Sequence, residues 1–387
     1  MKRFTGIDTT RGIVMVIMAL DHVRDFMHIS SMSQDPTNLQ TTTALLFFTR
    51  WITHLCAPTF VFLAGASAYI SFRRKNNLSE SMKFLLFRGI WLVLLEFTII
   101  NFALWFDIHF RLLLMEVIST IGLSFIVLSF LLWLPSRTIG IIGVILIISG
   151  SLIQGIPVPT NTVAAFPFSV LFRPNLMQLT SGHSFYSAYP LVPWLGIMLT
   201  GFSFGEVFDL TQEKRRKILL KAGMVILLAF VIIRSINIYG DPSKWASQHS
   251  SLFTFFSFLN VSKYPPSLLF TLLFTSITLL LLSITEYNRS TISKVISIYG
   301  RVPLFYFIIH LFIIHAIMFL VLIIQGCGIK DFIFGAFKNG RPETGGGVGL
   351  AVIYLIWIAV VALLYPVCRR YGEYKAAHPK NKILRFI

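Results

Sequence analysis

The sequence predicts an all-α fold: a polytopic membrane helix bundle of about ten transmembrane helices, with both ends in the cytoplasm. Three observations predict it. Hydrophobic residues make up 55% of the 387 and charged residues only 13%, with a mean hydropathy of +0.76; soluble domains carry about 25% charged residues. The apolar residues fall into separate runs of roughly 20, the length that crosses a hydrocarbon core of about 30 Å. The basic residues cluster in alternate connections between those runs.

The runs place spans at about 7–28, 51–72, 89–106, 112–134, 138–156, 188–207, 222–238, 266–284, 302–324 and 348–367. They form one transmembrane domain over 1–387, with 368–387 as a basic cytoplasmic tail. The N-terminus has the basic start and apolar stretch of a signal peptide. Asp8, Arg11, Asp21 and His22 interrupt that stretch, and no small-residue cleavage site follows, so it reads as a retained first span. Phe, with 37 residues, suits lipid-facing helix surfaces.

Charge orients the bundle. With the N-terminus inside, the cytoplasmic segments hold 22 Lys and Arg and the opposite segments 8; Arg11, Arg24 and Arg234 fall within spans. Positive charge is retained on the cytoplasmic side, so both ends read as cytoplasmic. The net charge of +17 sits in short clusters between apolar runs. That distribution marks topology and anionic lipid contact, not nucleic-acid binding. Cys56, Cys327 and Cys368 show no metal-ligand spacing, and Cys56 with Cys327 is a candidate disulfide on the outer side. The long outer connections 157–187 and 237–265 lack helical periodicity and read as a lid or glycan-facing surface, or as linkers.

Ionisable groups inside spans are costly and by default mark a site. In the first span Asp8, Arg11, Met15, Met18 and His22 are spaced 3, 4, 3 and 4, which puts them on one helix stripe. Asp21, Asp25 and His28 run beside it, and Arg24 can pair with Asp21. Snorkelling at the helix ends accounts for Arg11, Arg24 and His28. It accounts poorly for His22, about 16 Å along the axis from Arg11. Glu96 lies about 12 Å beyond Arg88, and His310 about 14 Å beyond Arg301. His22, Glu96 and His310 therefore read as one polar layer, with His315 further outward and His54 opening the second span.

A histidine oriented by a carboxylate is the usual general base, and His22 with Asp21 or Asp25 supplies that pair. The sequence has no GxSxG, HExxH, phosphate-binding loop or dinucleotide-binding glycine pattern. A base without an evident nucleophile fits direct acyl transfer to a hydroxyl or amine.

The spacing of Arg11 and His22 matches the Arg-x10-His motif of the acyltransferase 3 family. The longer pattern resembles the bacterial relatives of heparan-alpha-glucosaminide N-acetyltransferase in the transmembrane acyltransferase superfamily. It comprises Arg11–Phe26, Trp51–Gly65, Tyr189–Met198, Lys263–Leu268 and Gly300–Tyr306, followed by His310 and His315. The resemblance implies a multi-span enzyme that takes an acetyl group from cytosolic acetyl-CoA and passes it to a sugar on the far side. In a bacterium that would place it in the cytoplasmic membrane. In the animal enzyme the position of His22 is an asparagine, and the proposed catalytic histidine follows the first span. His28 is the nearest later histidine here, so His22, His28 and His54 all stand as candidate bases.

Arg11 near the cytoplasmic face, with Asp8 beside it, is the candidate for a CoA phosphate. Glu96, His310, His315, Trp194 and Tyr264 are the candidate cavity residues. Trp51, Tyr189, Trp194 and Tyr264 suit stacking on a sugar ring; equally, they suit an interfacial aromatic belt. No metal is expected. The expected partners are membrane lipids and a sugar or glycan acceptor, with room for a homo-oligomer. The rival readings are a proton-coupled transporter or exporter of a sugar or lipid-linked intermediate, and a structural membrane subunit. Stabilisation by CoA separates the enzyme from the transporter. Tolerance of Leu or Phe at the buried polar positions would mark the structural subunit.

Overall fold

The computed structural model describes residues 4–153, 155–288, 290–342, 346–381 and 384. In chain order its helices are α1 (Thr5–Met27), α2 (Ala44–Thr53), α3 (Cys56–Lys75), α4 (Leu78–Leu95) and, after a π-helical turn at Glu96–Ile100, α5 (Asn101–Trp105). Strand β1 (Leu112–Met115) precedes α6 (Val117–Leu131), α7 (Ser136–Ile153) and α8 (Thr162–Leu171). A hairpin of β2 (Asn175–Thr180) and β3 (His183–Ser187) leads to α9 (Leu191–Phe204). Then come α10 (Gln212–Ile236), α11 (Ser251–Leu259), α12 (Leu268–Thr285), α13 (Thr291–Arg301), α14 (Pro303–Ile324), a short hairpin of β4 (Phe334–Gly335) and β5 (Lys338–Asn339), and α15 (Leu350–Ala377).

The protein is all-α and membrane-type. Among the described residues seven helical stretches are long and apolar enough to cross a membrane: Ala44–Lys75, Leu78–Trp105, Leu191–Asp209, Gln212–Ile236, Leu268–Thr285, Pro303–Ile324 and Leu350–Ala377. The other three of the ten expected spans are helices too. However, α1 carries Asp8, Arg11, Asp21, Arg24 and Asp25, and α6 and α7 are shorter apolar helices.

The local departures have physical causes. The 51–72 run is broken at His54 and Leu55, where α2 ends and α3 begins. The 112–134 run opens as a strand, because four apolar residues read equally as helix or buried strand. The 222–238 run begins ten residues earlier, at Gln212, since its first turns are basic. The 157–187 connection holds α8 and the β2–β3 hairpin, and 237–265 holds α11, so neither is a plain linker. None of the three cysteines is in a disulfide; the Cys56 thiol donates to the Val14 carbonyl, 3.3 Å away. Of the residues that carried the topology count, Lys2, Arg3, Arg289, Lys382 and Arg385 lie outside the described residues.

The chain divides into two compact units. The first comprises Met1–Cys56, Ile99–Leu112 and Tyr287–Ile387. Here α1 is central and packs against α2, α13, α14 and α15. A Cβ on Gly12 would overlap the Ile296 backbone, and one on Gly300 the Asp8 carbonyl, so α1 and α13 meet backbone to backbone. That close approach requires glycine at both positions. Trp357 donates to the Val16 carbonyl (2.7 Å), and Thr49 shares a hydrogen bond with Tyr354 (2.7 Å), fastening α15 to α1 and α2.

The second unit comprises Ala57–Thr98 and Leu113–Glu286. Its helices pack in the pairs α4–α6, α7–α9 and α10–α12. Arg215 and Glu286 form a buried ion pair (2.6 Å) across α10 and α12. The 237–265 connection is folded around two buried polar hubs. Arg234 donates to the carbonyls of Ser243, Ser257, Phe258 and Asn260 at 2.8–2.9 Å. Asp241 accepts from the Ser262 backbone and from the Ser262 and Ser267 hydroxyls. Side chains here supply the partners that the irregular backbone needs.

Candidate functional site

The ionisable groups of α1 resolve into two clusters within the first unit. In one, the carboxylate of Asp21 accepts from Arg24 (2.8 Å) and, through both oxygens, from Arg50 of α2 (2.6 and 2.7 Å). Arg24, only 2% exposed, also pairs with Asp25 at 2.7 Å. This is a charge-balanced set of two guanidiniums and two carboxylates. Burial of such a set is tolerated because every charge has a partner.

The second cluster is a histidine pair. His22 Nδ1 lies 2.6 Å from His310 Nε2, with the rings stacked at 4.9 Å. His310 is fully buried on α14, and its Nδ1 lies 3.0 Å from the carbonyl oxygen of Tyr306, one turn earlier. A carbonyl only accepts, so Nδ1 of His310 carries the proton. In the neutral ring Nε2 then accepts from Nδ1–H of His22. Nε2 is then the unprotonated nitrogen of His22, on a half-buried ring that packs edge-on against Phe307. The orienting partner of His22 is thus a second histidine, whereas the expected carboxylates, Asp21 and Asp25, are engaged by Arg24 and Arg50.

The other candidates in this unit have different surroundings. His28 caps the C-terminal end of α1; its Nδ1 lies 3.0 Å from the Ser30 hydroxyl, and its carbonyl accepts from Arg341. His54 is buried at the end of α2, beside the break before α3. His315 donates from Nε2 to the Asn339 carbonyl (3.0 Å) and packs between Phe26 and Phe106, which makes it a core anchor for the β4–β5 hairpin. Arg11 is half-buried, with the buried Asp8 one turn before it. Trp51 is buried and stacks on Phe48.

Glu96, Trp194 and Tyr264 belong to the second unit. Glu96 is wholly buried at the π-helical turn and accepts from the Ser119 backbone N–H at 2.8 Å. Trp194 is fully buried between Tyr189 and Phe270, so neither of its faces is open for stacking. Tyr264 remains 42% exposed beside Tyr189 and Lys263.

Residues 3–240 match the catalytic domain of heparan-alpha-glucosaminide N-acetyltransferase. The chain belongs to that family. A comparison with curated proteins gives no match. The chain is therefore an integral membrane member of an N-acetyltransferase-type family. The stretch shared with heparan-alpha-glucosaminide N-acetyltransferase holds Arg11, Asp21, His22 and Asp25, whereas His310 lies beyond it.

Three contributors escaped the sequence reading. Arg50 and Arg341 enter the sequence only as charges outside the spans, and Lys263 also opens the Lys263–Leu268 pattern, without a role. The role of the Tyr306 carbonyl had one available signal, the Tyr306–His310 spacing of four on a helix.

Proposed function

We propose that this protein moves an acetyl group from cytosolic acetyl-CoA to an amino or hydroxyl group of a sugar or glycan on the outer side of a bacterial cytoplasmic membrane. Family membership supports the reaction class. The observation that carries the reading is the His22–His310 pair, in which Nδ1 of His22 donates and Nε2 is the unprotonated nitrogen of the neutral ring. The donor supplies an acyl thioester, already activated for attack. His22 Nε2 takes the proton from the attacking hydroxyl or amine as the new C–O or C–N bond forms. The imidazolium, its charge shared with His310 across the short hydrogen bond, returns that proton to the departing sulfur as the C–S bond breaks. A single group thus serves as base and then acid.

The excess of Lys and Arg on one side supports a cytoplasmic N-terminus and, with it, a donor entering beside Arg11. A guanidinium there suits a CoA phosphate. Arg11→Ala is expected to weaken CoA binding about 10–100-fold, the loss of one charge-assisted contact.

The test is acetyl transfer from labelled acetyl-CoA to glucosamine by the purified chain in proteoliposomes, read by mass spectrometry. Transfer by the wild type and its loss in His22→Ala supports the reading. Proton-driven sugar uptake that ignores CoA would replace it with the transporter.

A further inference from the structure

In the second unit α10 is too short to match a bilayer by itself. Its basic first turns run to Lys221, and the apolar stretch beyond them, Ala222–Ile236, rises about 22 Å. A hydrocarbon core is about 30 Å thick, so another element must meet the lipid past the end of α10. The 237–265 connection is placed to do so. Phe258 of α11 packs on Phe230 with ring centres 5.8 Å apart, and Phe230 lies about 9 Å back from the end of α10. The C-terminal end of α11 is therefore level with the last turns of the span.

Two features of the connection suit hydrocarbon. The first is its open face. α11 holds no charged residue; Phe256 and Ser257 are buried, whereas Leu252 and Phe255 are 50% and 55% exposed. These open positions continue those of α10, where Ile232, Ile236 and, just past its end, Ile238 are exposed. The second is a backbone satisfied from within. Arg234 collects the Ser257 and Phe258 carbonyls at the end of α11, and those of Ser243 and Asn260. The Asn237 amide both donates to and accepts from the Trp245 backbone, and the Trp245 indole donates to the Arg234 carbonyl. The hydroxyls of Ser257 and Thr254 accept from the backbone N–H groups of Ala246 and Gln248. A loop in water has no need of this, because water supplies the partners. Irregular backbone at membrane depth must find them in the protein. Single exposed apolar residues are ordinary on a soluble surface, so the open face alone would carry little. The closed backbone beside it is what points to lipid.

We propose that 237–265 is a re-entrant segment: α11 lies in the hydrocarbon of the leaflet opposite the basic end of α10, with Leu252 and Phe255 against acyl chains. The exposed Lys244 and His249, which precede α11, reach the headgroups in this placement. The placement is independent of the reaction assigned above, since it concerns only where the segment sits.

The experiment is spin labelling of the full chain in phosphatidylcholine nanodiscs. Leu252→Cys, Phe255→Cys and, as the aqueous control, Lys214→Cys at an exposed position of the basic end are each labelled with a nitroxide in a Cys327→Ser background; Cys56 and Cys368 are buried. Collisions with oxygen, which concentrates in hydrocarbon, are compared with collisions with a water-soluble nickel chelate. The oxygen-to-nickel ratio at positions 252 and 255 is expected to exceed that at 214 several-fold. A ratio at 255 no higher than at 214 overturns the proposal. Few collisions with either reagent, with spin–spin broadening between labels, would seat this face on a second copy of the chain and overturn it too. If the cysteine variants fail to fold, the unmodified protein is treated with a lipid-soluble photoactivated diazirine. Adducts on residues 251–259 are expected, and their absence alongside adducts on Ile232 or Ile236 overturns the proposal equally.

Discussion

His22 and His310 are 288 positions apart in the chain, yet their ring nitrogens meet at 2.6 Å. The Tyr306 carbonyl sets the direction of that bond, because it accepts from His310 Nδ1 and leaves only Nε2 to face His22. His310 is in this sense a positioning residue: it fixes which nitrogen of His22 carries the proton. His310→Leu removes the acceptor and lets the His22 ring rotate and change tautomer. We expect kcat to fall about 10–100-fold with KM for both substrates little changed, and the acid limb of the pH–rate profile to move. His310→Gln, whose amide oxygen can accept from His22, should recover part of the rate. Equal loss in both variants with an unmoved pH profile would assign His310 to packing alone.

The paired charges around Asp21 make a separate expectation. Asp21 is held by Arg24 and Arg50 together, and the three side chains are 12%, 2% and 15% exposed. Asp21→Asn removes the carboxylate that Arg24 and Arg50 share. Removing one member of a buried ionic set costs about 3–5 kcal/mol. Thermal unfolding in detergent should show that loss for Asp21→Asn. Asp25→Asn should cost much less, because the Asp25 side chain is 46% exposed.

Ionisable residues inside apolar runs were the legible part of this site. The 3–4 stripe on α1 singled out His22, and the depth of His310 along α14 singled out its partner. Which groups pair was not legible, because a contact across 288 positions has no periodicity. The sequence offered Asp21 or Asp25 as the orienting group, but adjacent helical residues point about 100° apart, and Asp25 is taken by Arg24. The helical class was legible from run length alone. The break at His54–Leu55 and the strand at Leu112–Met115 were not, because apolar residues occupy both sides of each. Nor was the order of 237–265, where Arg234 collects backbone carbonyls that carry no side-chain signature.

The remaining question is which histidine takes the proton, and three positions compete. His22 has its Nδ1 committed to His310, which makes Nε2 the unprotonated nitrogen of a half-buried neutral ring. His28 lies near two guanidiniums, and its Nδ1 is already engaged by Ser30. His54 is buried at the end of α2. A base that must accept and return a proton needs an unprotonated nitrogen and a partner that spreads the charge, and the His22–His310 pair offers both. His22→Ala should lower turnover about 10²–10⁴-fold while CoA still binds and the protein still folds. His28→Ala and His54→Ala should change turnover less than tenfold, at the scale of ordinary packing effects. His22→Asn is the sharper variant, since asparagine fills the equivalent position in the related animal enzyme. Near-normal turnover in His22→Asn, together with abolition in His28→Ala or His54→Ala, would move the base to that histidine and leave His22 to position the thioester. Full activity in all three alanine variants would end the histidine mechanism altogether.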